Sequence, residues 1–210
     1  MISFIIPAYQ EEKFIERTLL NIPNNFEKIV VCNNCSDQTY NIAKKYAKVI
    51  NISEKNVSKA RNLGGKSAKN DFLVFLDADT RLVKNALKEL INLKNRNIVG
   101  TFKTKFNKNN FSLSLYSFIK NIFPLFRIHN ASGTIFCNKK VFEKVNGFDE
   151  NLIRAENQDF IKRCKRYSDF YFSRNYSITS SRRFEKIGFV KDFFYWLKGY
   201  FGKKEYINVR

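Results

Sequence analysis

The sequence predicts an α/β fold in which a mostly parallel sheet is flanked by helices within a single domain. Apolar runs of strand length alternate with segments of helical periodicity through residues 1–100, a pattern typical of parallel sheets covered on both faces. The 210 residues are enough for one domain with a full core. Because 44% of the residues are hydrophobic and 16% aromatic, the composition excludes a disordered chain.

The first two strands are each followed by a predicted helix. An apolar run indicates a strand over Ile2–Ile6, which Pro7 ends, and helical periodicity then extends from Glu11 to Pro23. The apolar face of this helix carries Phe14, Ile15, Thr18, Leu19 and Ile22. A second strand is indicated over Ile29–Cys32. The helix after it has an apolar face made of Ile42, Ala43, Tyr46 and Ala47.

Two further strand and helix pairs complete the alternation. Residues 48–53 indicate a short strand and residues 56–71 a helical segment. Residues 72–76 form a wholly apolar strand, and residues 81–94 have the pattern of an amphipathic helix.

Beyond Gly100 the alternation fades. Residues 111–128 indicate an amphipathic helix broken at Pro124. Residues 132–148 indicate a strand, a turn and a short helix closed by Gly147.

The net charge is strongly positive and lies mainly in the second half of the chain. There are 38 Lys and Arg residues against 19 Asp and Glu, a formal charge of +19. Residues 1–100 hold 16 basic and 10 acidic residues, and residues 101–210 hold 22 and 9. An excess of this size indicates a polyanionic partner: a nucleic acid, an anionic membrane face or a phosphorylated substrate.

Four cysteines without a signal-like segment predict a reducing, cytoplasmic environment. Cys32 and Cys35 form a C-x-x-C, but no second Cys or His pair completes a zinc site, so structural or incidental thiols are expected. No apolar run reaches the ~18 residues of a transmembrane helix. The sequence predicts a soluble or peripheral protein.

Two acids follow the wholly apolar strand without a polar transition. Residues two apart in an extended chain point to the same side, so Asp77 and Asp79 can converge while Ala78 faces away. Carboxylates this close repel each other, and a divalent cation bridging to a diphosphate would relieve the repulsion. The alternative is that Asp79 caps the next helix, where Thr80 could serve equally well.

Four segments of the chain carry a specific pattern, and they read FIIPAYQEE, VVCNNCSDQT, KARNLGGKSAKNDFLVFLDADT and VFEKVNGFDENLIRAENQDFIKRCKR. Together they resemble the family 2 glycosyltransferases of the GT-A fold, over roughly residues 2–166. The resemblance implies an inverting hexosyltransferase that uses a UDP- or GDP-type sugar donor and Mn²⁺ or Mg²⁺. It implies a glycan, lipid or lipid phosphate acceptor near the cytoplasmic membrane face.

The resemblance places the nucleotide base against the turn after the first strand, at Pro7 and Tyr9, with Glu11 nearby. Tyr9 could stack on the base or simply cover the core. Asn33 stands where the family has an acid that accepts from the base, and its amide can both accept and donate. Asp37 matches a later acid of this turn and is expected to cap a helix.

The resemblance assigns the diphosphate and metal to the next residues. Asp77, Ala78 and Asp79 would bind the nucleotide sugar, with both carboxylates as metal ligands. Arg61 would contact the diphosphate or hold Asp77 by a bidentate pair. The pair Gly64–Gly65 would allow close backbone approach, although simple helix packing accounts for both glycines equally well.

The general base is the main departure from the family. Asn157 occupies the position of the usual catalytic Asp and cannot take a proton. Glu156 or Asp159 would substitute for it, or an already ionised acceptor would need no base. A chain without transferase activity is the third alternative.

Arg182 and Arg183 resemble an arginine-containing segment that follows the base in some family members. They would stabilise the leaving diphosphate, or else lie in a solvated basic turn. The lone His129 is given only a weak acceptor or metal role.

The resemblance divides the chain into a nucleotide-sugar half (1–100), an acceptor half (101–180) and a basic aromatic C-terminal segment (181–210). The aromatic and lysine residues of the last segment could lie in a membrane interface, pack on the domain or form a dimer contact.

Two other functions would fit parts of the sequence. A nucleotidyltransferase usually begins with a glycine-rich loop, and residues 2–12 contain no glycine. A nucleic-acid-binding module would explain the charge, but acids at a strand end would repel a polyanion. We therefore expect no nucleic acid partner.

Overall fold

A single sheet carries the fold in the computed structural model, which describes residues 1–122, 131, 133–152, 154–188 and 191. Its strands are β1 (Ile2–Ala8), β2 (Glu27–Asn33), β3 (Lys48–Ile52), β4 (Phe72–Leu76), β5 (Arg81–Leu82), β6 (Ile98–Phe106), β7 (Thr134–Asn138) and β8 (Asp169–Thr179). The helices are α1 (Ile15–Asn21), α2 (Thr39–Ala43), α3 (Val57–Ser67), α4 (Lys84–Leu93), α5 (Phe111–Ile122), α6 (Lys139–Lys144), α7 (Glu156–Cys164) and α8 (Arg182–Ile187).

The strands lie in the order β3-β2-β1-β4-β7-β6-β8-β5. β1 runs parallel to β2 and β4, β2 parallel to β3, and β6 parallel to β8. β7 is antiparallel to both β4 and β6, and β5 is antiparallel to β8. The predicted mostly parallel sheet is confirmed. The carboxyl ends of β1, β2, β4, β6 and β8 consequently meet at one edge.

β4 explains why the core has two layers. Phe72, Val74 and Leu76 pack into the cluster on one face of the sheet, while Leu73 and Phe75 pack into the other. Helices cover both faces, so every residue of β4 is buried. This is the physical reason for its uninterrupted apolar sequence.

The predicted end of β1 at Pro7 is wrong, because the strand continues to Ala8. The ladder to β4 stops at Ile5, whereas the ladder to β2 continues and places Pro7 opposite Val31. Pro7 is thus paired on one side only, a position that tolerates the missing N–H.

Other predicted boundaries are also corrected. The helix expected from residue 81 begins at Lys84, and the two residues Arg81–Leu82 pair with β8 instead. α2 ends at Ala43, and the following Tyr46 packs on the core from outside the helix. β6 was not predicted. No turn separates β7 from α6, which starts directly at Lys139.

α3 packs its glycine face against the sheet. A Cβ at Gly64 would overlap Cγ2 of Ile5, and one at Gly65 would lie 2.7 Å from Cζ of Phe142. Of the two uses expected for Gly64, the structure shows helix packing. This close approach also brings Arg61, on the same helix, to the edge where the strands end.

Candidate active site

The two acids after β4 flank a residue that is fixed in the core. The Asp77 N–H donates to the Gly133 carbonyl at 2.8 Å, and the carbonyl of the buried Ala78 accepts from the Thr18 hydroxyl at 2.7 Å. The two carboxylates, of Asp77 and Asp79, therefore stand on either side of a residue that faces the interior.

Capping of the next helix by Asp79 or Thr80 is wrong. α4 begins at Lys84 with Val83 at its N-cap, and no side chain caps it. Each of the two carboxylates instead contacts an arginine. Arg61 Nη2 lies 3.0 Å from Asp77 Oδ1, and Arg182 Nη2 lies 3.1 Å from Asp79 Oδ2.

Arg61 links the acids of β4 to the start of α7. Its side chain is only 6% exposed, and its Nη1 donates to Glu156 Oε1 at 3.1 Å and to Asn157 Oδ1 at 2.9 Å. Its guanidinium lies 5.2 Å from the Phe148 ring centroid. The expected bidentate pair with Asp77 is wrong in its geometry, since one nitrogen serves Asp77 and the other serves α7.

Arg182 lies between two carboxylates that come from different strand ends. It makes a two-nitrogen pair with Glu11, at 2.7 and 2.5 Å, in addition to its contact with Asp79. Glu11 is 1% exposed. A solvated turn is wrong for Arg182, which begins α8 with a partly buried side chain. Arg183 follows it on α8 and is also partly buried.

The charges around Arg182 shift its titration. Burial lowers the pKa of its guanidinium, but the hydrogen bond to Glu11 and the charges of Asp79, Glu11 and Asp77 outweigh burial and raise it above the ordinary value. Both acids after β4 thus act on the same arginine. Arg182 stays charged at every physiological pH.

The turn expected to meet the base holds Tyr9 and Asn33 close to α3. Asn33 is buried, and its Oδ1 accepts the backbone N–H of Asn56 at 2.8 Å. Tyr9 is half-buried, and Lys55 Nζ lies 4.1 Å from its ring centroid. The amide oxygen of Asn33 thus already accepts one hydrogen bond, and its NH₂ group can donate to a ligand.

The expected capping of α2 by Asp37 is wrong, because Gln38 is the N-cap and no side chain caps the helix; Asp37 instead holds the turn before α2. Its Oδ1 accepts from the Thr39 N–H and its Oδ2 from the Glu12 N–H, both at 3.1 Å. The turn after β1 is thereby tied to the turn after β2. Gln10 also links the two turns, since its amide oxygen accepts a hydrogen bond from the Ser36 N–H at 3.1 Å.

The structure separates the two candidates for the general base. Glu156, at the start of α7, contacts Arg61 and lies with the acids of β4. Asp159 is bound instead to Arg163, with Nε at 2.8 Å and Nη2 at 2.7 Å. Arg163 in turn donates to the Gly147 carbonyl at 2.7 Å. Asp159 is thus not brought to the cluster that contains Arg61.

A strained residue sets the start of α7. Ala155 has φ +58° and ψ 14°, the left-handed region that alanine seldom adopts. This conformation directly precedes Glu156 and Asn157. Non-glycine residues in this region tend to occur at functional sites.

The two carboxylates fit a divalent cation of the Mg²⁺ type. Within the described ranges no three His, Cys, Asp or Glu side chains form a metal cluster, and Asp77 and Asp79 are the two ligands considered. Mg²⁺ is commonly held by one or two carboxylates, with phosphate oxygens and waters as its other ligands. The carboxylate oxygens of Asp77 and Asp79 match that chemistry.

All four cysteines are free thiols. The hydrogen bond with Cys32 lowers the pKa of Cys35 to about 7, against the opposing effect of burial. The same hydrogen bond, with burial, raises the pKa of Cys32. Cys137 and Cys164 are buried, which raises the pKa of each.

Sequence reasoning missed Lys55 and Asn56, which cover the turns expected to meet the base. Asn56 could have been found from the sequence, because a polar residue just before a helical pattern indicates an N-cap. The structure shows this cap, since the Asn56 side chain accepts a hydrogen bond from the Lys59 N–H. Lys55 and the strained Ala155 carried no signal.

Two expectations concern residues outside the described part of the chain. His129 is one, and the aromatic residues of the C-terminal segment beyond residue 191 are the other. Within the described part, no helix has the length and apolar character needed to cross a membrane.

Comparisons with known proteins give a family and several relatives. The model described as Glycosyl transferase family 2 matches residues 3–148. Poly(ribitol-phosphate) beta-N-acetylglucosaminyltransferase TarS of Staphylococcus aureus is 32% identical over 100 residues, which cover 41% of this chain and 18% of the relative. An uncharacterized glycosyltransferase of Rickettsia typhi is 27% identical over 203 residues, which cover 86% of this chain and 63% of the relative. The chain thus spans less than two thirds of either relative.

Solved structures share the fold. Staphylococcus aureus TarS 1-349 in complex with UDP-GlcNAc gives a TM-score of 0.67 at 24% identity, covering 86% of this chain and 58% of the other. The mannosyltransferase PcManGT from Pyrobaculum calidifontis in complex with GDP-Man and Mn²⁺ gives a TM-score of 0.68 at 16% identity. The match covers 97% of this chain and 65% of the mannosyltransferase chain. These likenesses confirm the predicted GT-A fold.

Proposed function

Since the chain belongs to glycosyltransferase family 2, we propose that it is an inverting, metal-dependent hexosyltransferase that moves a sugar from a nucleoside-diphosphate donor to a glycan, lipid or lipid phosphate. The donor contacts residues 1–100 and the acceptor residues 101–180. One observation carries the proposal: Asp77 and Asp79 end a buried strand, and Arg61 joins the first of them to Glu156.

The donor lies along the edge where the strands end. Pro7 and Tyr9 meet the base, and Asn33 contacts it through its NH₂ group. A UDP- or GDP-type donor is supported by the solved relatives, whose complexes hold UDP-GlcNAc and GDP-Man. Both bases carry carbonyl oxygens that can accept from an amide.

The diphosphate lies beside Asp77, Ala78 and Asp79, with Arg182 and Arg183 at the start of α8. A Mn²⁺ or Mg²⁺ ion held by the two carboxylates would supply positive charge to the diphosphate when bound. Arg182 is already fixed by Glu11 and Asp79. A guanidinium fixed before the reaction stabilises charge that develops on the leaving group without reorganising.

Glu156 is the general base in this proposal. The acceptor hydroxyl gives its proton to the Glu156 carboxylate, the acceptor oxygen forms the bond to the anomeric carbon, and the bond to the diphosphate oxygen breaks. Attack from the face opposite the leaving group inverts the configuration. Asn157 does not take a proton, and its Oδ1 instead holds Arg61 in place.

We place the reaction at the cytoplasmic face of a membrane, with the protein as a peripheral component. The excess of positive charge in the second half of the chain supports this location, because anionic head groups attract basic surfaces.

The test of the donor site measures thermal shifts with UDP- and GDP-sugars, with and without Mn²⁺. A sugar nucleotide that binds the folded state raises its melting temperature. Asp79→Asn is expected to abolish the metal-dependent part of the shift, while Asp71→Asn, an exposed acid just before β4, keeps it. No shift with the wild type, or equal shifts in Asp79→Asn, would contradict the proposal.

The test of the base compares turnover of Glu156→Gln and Asp159→Asn. Glu156→Gln is expected to lower kcat by about 100-fold or more while donor binding persists, and Asp159→Asn is expected to retain most turnover. Full turnover in Glu156→Gln would point to an ionised acceptor, such as a lipid phosphate, and would remove Glu156 from this role.

A further inference from the structure

α5 has one buried and one exposed apolar face. Leu113 and Tyr116 are buried, and the Tyr116 ring stacks on Phe106 of β6 at 5.9 Å between centroids. On the other face, Phe111 is 82% exposed, Leu115 40% and Phe118 62%. These three residues are four and three positions apart, which aligns them along one side of the helix.

A stripe of this kind differs from scattered exposed apolar residues. Single exposed hydrophobic side chains are ordinary, whereas a contiguous exposed apolar surface marks an interaction site. Phe111 and Phe118 are among the most exposed large hydrophobic side chains of the described residues. The stripe therefore indicates a binding partner that has an apolar surface.

The charge around α5 indicates what that partner is. Residues 98–122, which comprise β6, the loop after it and α5, contain four Lys residues and no Asp or Glu. Lys105 on β6 and Lys108 before α5 are exposed, and Lys120 is half-buried over the Tyr116 ring. Glu185 of α8 pairs with Lys108 at 3.0 Å.

We propose that the α5 stripe, defined as Phe111, Leu115 and Phe118, docks onto an anionic lipid surface. Aromatic and leucine side chains enter the boundary between head groups and acyl chains, and the surrounding lysines meet the anionic head groups. A protein partner would need a complementary acidic rim around an apolar groove. A bilayer that contains anionic lipid offers both features without a specific shape.

The position of α5 connects this surface to the candidate active site. α5 follows the end of β6, at the edge where the other strands also end, and Tyr116 lies 6.2 Å from the Phe184 ring of α8. Asn107, between β6 and α5, accepts from the Ser181 N–H at 2.9 Å, one residue before Arg182. Docking through α5 would hold the site near the lipid surface, where the proposed function puts a lipid-linked acceptor.

The experiment is sedimentation of the full chain with phosphatidylcholine vesicles, with and without phosphatidylglycerol. The wild type is expected to bind the vesicles that contain phosphatidylglycerol, and to bind less as salt increases. Phe111→Ser/Phe118→Ser is expected to lower the bound fraction by about tenfold or more. Leu20→Ser removes a leucine that is 64% exposed on α1 and is expected to bind as the wild type does.

Three results would overturn the proposal. They are an absence of wild-type binding, equal binding by the double variant, and equal binding to neutral vesicles. Light scattering identifies the rival occupant: a wild-type dimer that becomes a monomer in the double variant, with vesicle binding unchanged, assigns the stripe to a second copy. Because the double variant is expected to keep the nucleotide-sugar thermal shift, failure here is distinguishable from failure of the proposed function.

Discussion

Ion pairs between arginines and carboxylates fix the charged side chains of the candidate active site. Each of the two carboxylates after β4 contacts an arginine, and Arg182 also neutralises the buried Glu11. A buried ion pair is not in itself strong evidence of stability, but removing one partner leaves an uncompensated charge in the interior. Arg182 is therefore expected to matter for folding as well as for the leaving diphosphate.

Replacing Arg182 tests how much this residue contributes to the stability of the fold. Arg182→Met is expected to lower the free energy of unfolding by about 3 kcal/mol, because Glu11 remains buried without this partner. Adding Glu11→Gln should recover part of the loss. Urea denaturation measures both, and Lys186→Met, at an exposed position of α8, is the control. A loss below about 1 kcal/mol for Arg182→Met would show that the pair is only a surface contact.

Cys35 is expected to be reactive near neutral pH. Its pKa of about 7, set by the hydrogen bond with Cys32, makes the thiolate appear as pH rises through that value. Alkylation by iodoacetamide, followed by peptide mass spectrometry, should give a rate for Cys35 with a midpoint near that pKa. The raised pKa and burial of Cys32 should keep it unmodified.

Cys32→Ala, which removes the hydrogen-bond donor, offers a check on the cause. If the thiol pair sets the titration, this variant moves the Cys35 midpoint upward. A wild-type midpoint close to the ordinary thiol pKa would contradict the assignment.

At the scale of elements, α3 is the helix on which the site depends most. It lies on β1 and β2 through Gly64, whose added Cβ would overlap Ile5 and lie 3.2 Å from Val31 Cγ2. Asn56 caps it by accepting from Lys59 N, and its side chain also donates to the Glu150 carbonyl at 2.8 Å. The helix thus delivers Arg61 to the strand ends from a fixed position.

Gly64→Ala should be destabilising despite the better helix propensity of alanine. The overlap with the buried Ile5 is expected to cost more than the roughly 1 kcal/mol gained in propensity, for a net loss of about 1 to 2 kcal/mol. Urea denaturation measures this, with the exposed Lys66→Ala of the same helix as the control. A Gly64→Ala protein as stable as the wild type would show that α3 can move away from the sheet.

For the whole molecule, the charge of +19 is divided between two uses. Arg61 and Arg182 pair with acids inside the candidate active site. Lys105 and Lys108, near α5, are exposed and belong to the surface that we propose docks onto lipid.

Binding to a DNA duplex provides the contrasting measurement. Any binding is expected to be nonspecific and to fall by more than about tenfold between about 50 and 200 mM salt, with no competition from a UDP-sugar. Fluorescence anisotropy of a labelled duplex measures it. Salt-resistant binding that a UDP-sugar displaces would contradict the division of charge.

The sequence by itself determined the features that depend on neighbouring residues. β4 was recognisable because its apolar run is local. The extended-chain argument for Asp77 and Asp79 is wrong, because β4 ends at Leu76 and the Thr80 N–H donates to the Asp77 carbonyl at 3.0 Å, which closes a turn. The strand and helix alternation of residues 1–100 likewise predicted the parallel part of the sheet. β6 was not predicted, because Gly100, Lys103 and Lys105 interrupt its apolar residues and no continuous apolar run marks the strand.

Only the tertiary structure decided which charged groups meet. The contact between Arg61 and Glu156 joins residues 95 positions apart, and that between Arg182 and Glu11 joins residues 171 apart. The tertiary structure also decided between Glu156 and Asp159 as the candidate general base, because both are carboxylates on the same helix and the sequence does not distinguish them. Arg61 of α3 engages one of them and Arg163 of α7 the other. Periodicity in the sequence reports which side of a helix or strand a residue occupies, whereas the packing of helices on the sheet decides what lies opposite.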